Sequence, residues 1–186
     1  MSERTSAIEE AGVKNPNIVF STRRFTVEQH EVRDRNGAAR LYDKIVLPGA
    51  AVALPVLDDG RIVLIRNYRF VVEETLLELP AGMLDEGESP MECARRELME
   101  ETGFRAGQVT PLLSFYSTPG MCNEVLHSFL VTDLVSGESA REPGEQIENH
   151  PMVLVEALRA IGDGRVKDAK TIVTLLYYER YVRERG

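Results

Sequence analysis

Three carboxylates, Glu97, Glu100 and Glu101, follow Arg96 at a spacing that could support chemistry. Successive helical residues are about 100° apart, so Glu97 and Glu101 would lie one turn apart with Glu100 beside them. Carboxylate oxygens grouped on one helix edge suit the hard cations Mg²⁺ and Mn²⁺. Arg96 can offset part of the charge and fix the orientation of the carboxylates. The alternative is a solvated acidic helix face.

The element that would carry these carboxylates has the clearest helix signals in the chain. Ser89 is a suitable N-cap, and Glu92, three residues later, completes a capping box. Gly103 is placed to end the helix in the left-handed conformation that glycine tolerates. The same periodicity predicts a core-facing side of the helix, formed by Met91, Ala94 and Leu98.

The surroundings of the helix favour the catalytic interpretation over the solvated face. The pattern Gly-x5-Glu-x7-Arg-Glu-hydrophobic-x-Glu-Glu-x-Gly-hydrophobic runs from Gly82 to Phe104 without a departure. It resembles the Nudix box, the signature of hydrolases that cut the pyrophosphate bond of nucleoside diphosphate compounds. The resemblance implies the Nudix α/β/α sandwich, with a mixed sheet, an amino-terminal β-hairpin region and the box folded as loop–helix–loop.

The resemblance also implies roles for individual residues of the box. Glu97 and Glu101 would be catalytic metal ligands, and Glu100 a further ligand or close partner. The backbone carbonyl of Ala81 would join them, since the glycine that follows lets the backbone approach a metal closely. Four residues would support the motif structurally: Gly82, Glu88, Arg96 and Gly103.

Residues outside the box resemble one branch of the family, the ADP-ribose pyrophosphatases. Pro119 lies sixteen residues after Gly103, and the following loop carries Glu124 where that branch has a general base or metal-associated carboxylate. The branch also implies substrate contacts by Arg69, through a phosphate, and by Met83. The alternatives are a simple turn with a surface charge at Glu124, and an exposed strand-end arginine.

The rest of the chain predicts a mixed α/β domain without regular βαβ alternation. The expected strands are 18–33, 39–46, 50–57, 61–68, 75–79, 109–117 and 127–131, and the later helices are 155–161 and 168–183. Residues 1–17 would be a loosely ordered lead-in. Residues 18–47 would form an amino-terminal β region, which relatives exchange between the subunits of a homodimer, and residues 48–186 the hydrolase domain.

Composition narrows the range of possible binding partners. The 186 residues carry a formal net charge of −8, which disfavours a nucleic-acid surface. No apolar run is long enough to cross a membrane. Cys93 and Cys122 lack metal-ligand spacing and predict free thiols in a reducing cytoplasm. The three histidines, His30, His127 and His150, are scattered and are expected to be structural or exposed.

These observations lead to one hypothesis for the reaction: ADP-ribose and water give AMP and ribose 5-phosphate, with Mg²⁺ as cofactor and Mn²⁺ as a second option. The nearest alternative is the same chemistry on a nucleotide sugar such as GDP-mannose. An alternative of another class is an inactive Nudix fold that senses nucleotides or binds RNA. The complete set of Glu97, Glu100 and Glu101 argues against it, because a pure binder does not need all three.

Overall fold

The computed structural model describes residues 16–33, 36–137 and 147–183. Its strands are β1 (Asn17–Ser21), β2 (Thr26–Arg33), β3 (Ala39–Val46), β4 (Ala50–Pro55), β5 (Arg61–Arg69), β6 (Glu74–Glu78), β7 (Ala81–Met83), β8 (Phe104–Arg105), β9 (Gln108–Tyr116), β10 (Val125–Thr132), β11 (Val135–Ser136) and β12 (Ile147–Val153). Its helices are α1 (Pro90–Thr102), α2 (Leu154–Gly162) and α3 (Ala169–Tyr177), followed by a π-helical turn (Tyr178–Val182).

Alternating side chains on β4 explain the layering of the hydrolase region. The strand is buried along its whole length. Ala51 and Ala53 pack with residues of α1, whereas Val52 and Leu54 pack with residues of α2 and α3. Because successive strand side chains point to opposite faces, β4 lies between two helical layers. The expected α/β/α arrangement is therefore confirmed.

Two sheets form the middle of this arrangement. The first has the strand order β7-β4-β10-β9, with β4 and β10 parallel and the other pairs antiparallel. The second has the order β12-β5-β6 and is antiparallel throughout. Strand β7 pairs with β4 through Gly82 and Ala51, which sets the start of the box directly on the buried central strand.

Several elements differ from the sequence-based expectation. The expected strand 18–33 is two strands, because Thr22 and Phe25 close a turn in which the Phe25 carbonyl accepts the Thr22 N–H at 2.9 Å. The helix expected over 168–183 is regular only to Tyr177 and continues as the π-helical turn. The four strands β7, β8, β11 and β12 were not expected; all are short or contain polar residues.

The chain divides into two compact units, the first comprising residues up to Leu47 together with Thr118–Glu124. In it, β1, β2 and β3 form an antiparallel meander. The Asn123 side chain accepts the Leu47 N–H at 2.8 Å, which ties the Thr118–Glu124 segment to the end of β3. Residues 1–15 of the predicted lead-in, and Asp34 and Arg35 of the predicted hairpin turn, lie outside the described residues.

The second unit comprises Pro48–Ser117 and the chain from Val125 onward, and it contains the whole box. No helix within the described ranges combines the length and the apolar character needed to cross a bilayer.

Candidate active site

Helix α1 begins and ends where its capping residues predict. The Ser89 hydroxyl accepts the Glu92 N–H at 3.3 Å, and the Glu92 carboxylate accepts the Ser89 N–H at 3.1 Å. At the other end Gly103 has φ 79°, a left-handed conformation that favours glycine. The Asn149 side chain, from β12, donates to the Thr102 carbonyl at 2.8 Å. Both ends of the carboxylate-bearing helix are therefore fixed.

The buried side of α1 is rotated from the predicted one. Met91 is 37% exposed, so its assignment to the core was wrong, and Cys93 is fully buried instead. Ala94 and Leu98 are buried as predicted. The difference arises because the packed face continues from Cys93 toward the carboxyl end of the helix, where it includes Glu101.

Glu101 is the buried carboxylate of the site, with 3% of its surface exposed. Its Oε2 accepts the backbone N–H of Ala81 at 3.0 Å, so α1 is joined to the first residue of β7. Removing a carboxylate from water is costly unless hydrogen bonds or a cation compensate. The structure thus brings Glu101 and the Ala81 backbone together through the Ala81 N–H, and the ligand role of the Ala81 carbonyl stays a prediction.

Glu97 lies against Gly82. A Cβ atom on Gly82 would lie 1.8 Å from the Glu97 Oε1 atom and 2.0 Å from its Cδ atom, both far inside contact distance. The Glu97 carboxylate therefore occupies the space that a side chain at position 82 would need. This is a steric reason for the box glycine and does not depend on a left-handed backbone.

Arg96 connects the carboxylates of the box. Its Nε and Nη2 atoms donate to the two oxygens of Glu88, each at 2.8 Å. Its Nη1 atom donates to Glu97 at 2.6 Å and to Glu100 at 3.1 Å. The guanidinium lowers the pKa of Glu88 to about 2, and the hydrogen bond to Glu88 raises the pKa of Arg96. Arg96 and Glu88 thus hold the loop before α1 to the helix.

This group of residues fits a divalent cation by its chemistry. Arg96 donates to the carboxylates of Glu88, Glu97 and Glu100, and the buried carboxylate of Glu101 lies on the same helix. Oxygen donors with excess negative charge suit a hard cation. Within the described ranges no three His, Cys, Asp or Glu side chains converge on one cation position. The Arg96 guanidinium bridges Glu97 and Glu100 in this arrangement. The residues that would hold a metal are Glu97, Glu100, Glu101 and the Ala81 carbonyl.

A second charged group, which the sequence analysis did not anticipate, surrounds Glu78 at the end of β6. Glu78 is 1% exposed, and Arg69 binds both of its oxygens, from Nε at 2.8 Å and from Nη2 at 2.6 Å. The Lys170 Nζ atom donates to the same carboxylate at 2.7 Å. Burial alone would raise the pKa of Glu78, but the hydrogen bonds and charges of Arg69 and Lys170 outweigh it and hold the pKa below its ordinary value.

The remaining predicted site residues are distributed more widely. Met83 ends β7 with 36% of its surface exposed, and its carbonyl accepts Arg96 Nη2 at 3.0 Å. Glu124, the last residue before β10, is half-buried and belongs to the first unit.

Cysteine and histidine residues follow the expectation from the sequence. Cys93 and Cys122 are both free thiols, and burial raises the pKa of Cys93 to about 12. His30 bonds to Glu28 at 2.9 Å, and His127 bonds to Ser114 at 2.8 Å.

A separate cavity of about 370 Å³ lies away from these carboxylates. It is lined largely by aliphatic side chains of β5, β12 and α2 and by the carboxyl-terminal residues Tyr178 and Arg183. No box residue lines it, so it is not part of the candidate active site.

Comparison with known proteins finds similarity over most of the chain. The model of the NUDIX domain matches residues 47–175. An ADP-ribose pyrophosphatase of Bacillus subtilis is 36% identical over 163 residues, which cover 87% of this chain and 88% of the relative. A methanol dehydrogenase activator of Bacillus methanolicus is 32% identical over 173 residues, covering 92% of this chain and 93% of the relative.

Two further matches widen the comparison. A GDP-mannose pyrophosphatase of Yersinia enterocolitica is 38% identical over 143 residues, covering 69% of this chain and 72% of the relative. A crystal structure of an ADP compounds hydrolase superposes with a TM-score of 0.82 at 26% identity, covering 94% of this chain and 95% of the other. Nudix ADP-ribose pyrophosphatases generally use divalent metal ions. Together with the intact box and its sandwich fold, these matches show that the chain belongs to the Nudix hydrolase family.

Proposed function

We propose that this protein hydrolyses the pyrophosphate bond of ADP-ribose to give AMP and ribose 5-phosphate. The observation that carries the proposal is the carboxylate edge of α1, where Glu97 fills the space left by Gly82 and buried Glu101 is bonded to Ala81. The substrate is supported by the ADP-ribose pyrophosphatase relative, whose similarity extends over 87% of the chain.

In the proposed reaction, water adds across the phosphoric anhydride. The water oxygen bonds to one phosphorus, the bridging P–O bond on that phosphorus breaks, and two phosphate monoesters leave. Glu97, Glu100, Glu101 and the Ala81 carbonyl would hold Mg²⁺, with Mn²⁺ as a second option. When bound, the cation neutralises the diphosphate and lowers the pKa of the attacking water.

The other residues have supporting parts in this proposal. Glu124 accepts the proton of the attacking water as general base, the role that its loop position suggests. Arg69 binds a substrate phosphate, because a guanidinium offers forked donors to phosphate oxygens. Met83, exposed at the end of β7, contacts the substrate beside the box. Gly82, Glu88, Arg96 and Gly103 keep the box in shape.

A nucleotide-sugar pyrophosphatase is the second candidate. The GDP-mannose pyrophosphatase relative has slightly higher identity, 38%, but over only 69% of this chain. We favour ADP-ribose because the similarity to the ADP-ribose enzyme covers more of the sequence outside the box, where residues that select base and sugar must lie. The box itself is common to both reactions.

The decisive experiment is to identify the products after incubating the purified protein with Mg²⁺ and, in separate reactions, ADP-ribose, GDP-mannose, NADH and a nucleoside triphosphate. AMP from ADP-ribose at the highest kcat/KM is the expected result. A higher kcat/KM for GDP-mannose would support the proposed hydrolysis of a pyrophosphate bond but would identify GDP-mannose as the substrate. Nucleotide binding without any turnover would instead favour the inactive sensor.

We also propose that the protein is a cytoplasmic homodimer. Its two free cysteines suit a reducing compartment. The exposed apolar residues Ile18, Val19 and Phe20 of β1 suit burial against a second copy. Sedimentation of the purified protein tests the dimer, and a monomer at micromolar concentration would exclude it.

A further inference from the structure

Arg69 has one half of its guanidinium fixed and the other half open. Its Nε and Nη2 atoms are bound to the two oxygens of Glu78. Within the described residues its Nη1 atom makes no hydrogen bond, and 41% of the side chain is exposed. A planar guanidinium held along one edge presents its remaining N–H groups in a fixed direction. Glu78 therefore determines where the open edge of Arg69 points.

Glu78 is itself held from a distant part of the chain. Lys170 lies at the start of α3 and contacts both Glu78, at 2.7 Å, and Asp168, at 3.0 Å. Asp168 is the N-cap of α3 and accepts the Thr171 N–H at 3.0 Å. The Thr171 hydroxyl in turn accepts the Leu79 N–H at 2.8 Å. The carboxylate is thus anchored to α3 through its own charge and through the adjacent backbone.

The Glu78 group is linked to the box by both backbone and charge. Glu78 ends β6, and Ala81, three residues later, begins β7 and donates to Glu101. The hydrogen bond to Glu78 raises the pKa of Arg69, burial opposes this shift, and the negative charge of Glu101 adds to the raising effect. Arg69 therefore lies within electrostatic reach of the box carboxylate Glu101.

We propose that Glu78 and Lys170 are positioning residues, which orient the Arg69 guanidinium so that its open edge binds the diphosphate of the substrate. The inference rests on the proposed function, because it assumes a nucleoside diphosphate substrate. Arg69 and Lys170 both contact the buried carboxylate. Lys170 therefore still neutralises Glu78 when the positive charge of Arg69 also interacts with a phosphate. Because Arg69 binds phosphate and Lys170 neutralises Glu78, the buried carboxylate has two cationic partners.

A double-mutant cycle separates positioning from a purely structural role. Glu78→Gln keeps the size of the side chain but removes the charge and one acceptor of the bidentate pair. We expect it to raise the KM for ADP-ribose roughly 10- to 100-fold, the range for a lost charged hydrogen bond, with much less change in kcat. Arg69→Ala should have a similar effect. The double variant should be no worse than Arg69→Ala alone, because Glu78 acts through Arg69.

A matched pair of lysine variants provides the control and an independent test. Lys170→Met should raise KM severalfold, whereas Lys167→Met should leave it unchanged. Lys167 contacts Glu74 at 2.6 Å in an exposed pair on the same two parts of the chain. This comparison decides the question if Glu78→Gln does not fold. Equal KM values for Lys170→Met and the wild type would overturn the proposal. A double variant whose increase in KM is the product of the increases in Glu78→Gln and Arg69→Ala would also overturn it.

The test remains informative if the proposed substrate is wrong. A wild-type protein that does not hydrolyse ADP-ribose contradicts the proposed function, and the same variants are then compared by their affinity for ADP, measured by calorimetry without metal. Weaker ADP binding by Glu78→Gln and Lys170→Met, but not by Lys167→Met, supports the positioning role. Unchanged ADP binding in all three variants overturns it.

Discussion

The two groups of charged residues in this protein contrast in charge balance. In the box, Arg96 donates to three carboxylates, those of Glu88, Glu97 and Glu100, and a fourth carboxylate, Glu101, lies on the same helix. At the end of β6 the ratio is reversed, since the single carboxylate of Glu78 contacts both Arg69 and Lys170. Both groups include a carboxylate that is almost fully buried.

The contrast shows that burial of a carboxylate does not by itself identify a metal ligand. A buried carboxylate with cations on both sides is already compensated and stabilises the arrangement around it. A carboxylate-rich edge with an excess of negative charge gains from a further cation. Charge balance around a carboxylate is therefore the more useful criterion. It distinguishes Glu78, which two cations contact, from Glu88, Glu97 and Glu100, which share Arg96.

The largest expected effect comes from Glu101→Gln, which removes a charge from the carboxylate-rich group. We expect kcat for ADP-ribose with Mg²⁺ to fall at least about 100-fold, because metal stabilisation of the transition state amounts to several kcal/mol. The fold should remain intact, since glutamine can still accept the Ala81 N–H. Steady-state kinetics and thermal unfolding measure the two effects. Near-full activity would remove Glu101 from the mechanism.

A smaller effect is expected from Gly82→Ala, which disturbs the same group without removing a charge. The new Cβ would displace the Glu97 carboxylate, 1.8 Å away, and we expect roughly a 10- to 100-fold loss of kcat/KM. Stability should change little, because the displaced atoms are the end of a flexible side chain. Gly162→Ala is the control, since no atom lies within 4 Å of its added methyl. Equal activity of the two variants would contradict the steric account of the box glycine.

The smallest expected effect concerns the contact between Glu88 and Arg96 and appears as pH-dependent stability. The pKa of Glu88 is lowered from 4.5 to about 2, so its contribution is complete above pH 4.5 and is lost as the pH falls toward 2. We expect the free energy of unfolding of the wild type to exceed that of Glu88→Gln by about 1 kcal/mol at pH 6, after allowance for solvent screening. This difference should shrink at pH 3. Urea unfolding at both pH values measures it. A difference that is the same at both pH values would exclude the ionised Glu88–Arg96 contact as its source.

The box helix could be predicted from sequence because its signals are local. Ser89, Glu92 and Gly103 lie within the helix or beside it, and they define its ends in the structure as they do in the pattern. The carboxylates follow from the same short segment. The error at Met91 is also local, since a helical period leaves the rotation of the buried face uncertain by about one residue.

The Glu78 group could not be predicted because its contacts are distant. Lys170 is 92 residues away in the chain, and a single glutamate before Leu79 has no local feature that indicates burial. Strand β12 was missed for a related reason. Its sequence contains His150 and Pro151, and its strand conformation depends on pairing with β5. Tertiary pairing, rather than propensity, decides such segments.

The alternation of small and large side chains on β4 has a consequence for how the protein can change. Ala51 and Ala53 face α1, whereas Val52 and Leu54 face α2 and α3. Two methyl groups therefore set the distance between the central strand and the helix that carries the box glutamates. An added methylene on that side would shift the carboxylates as well as the core. We expect the lineage to tolerate exchange among aliphatic residues at Val52 and Leu54 more readily than any enlargement of the two alanines.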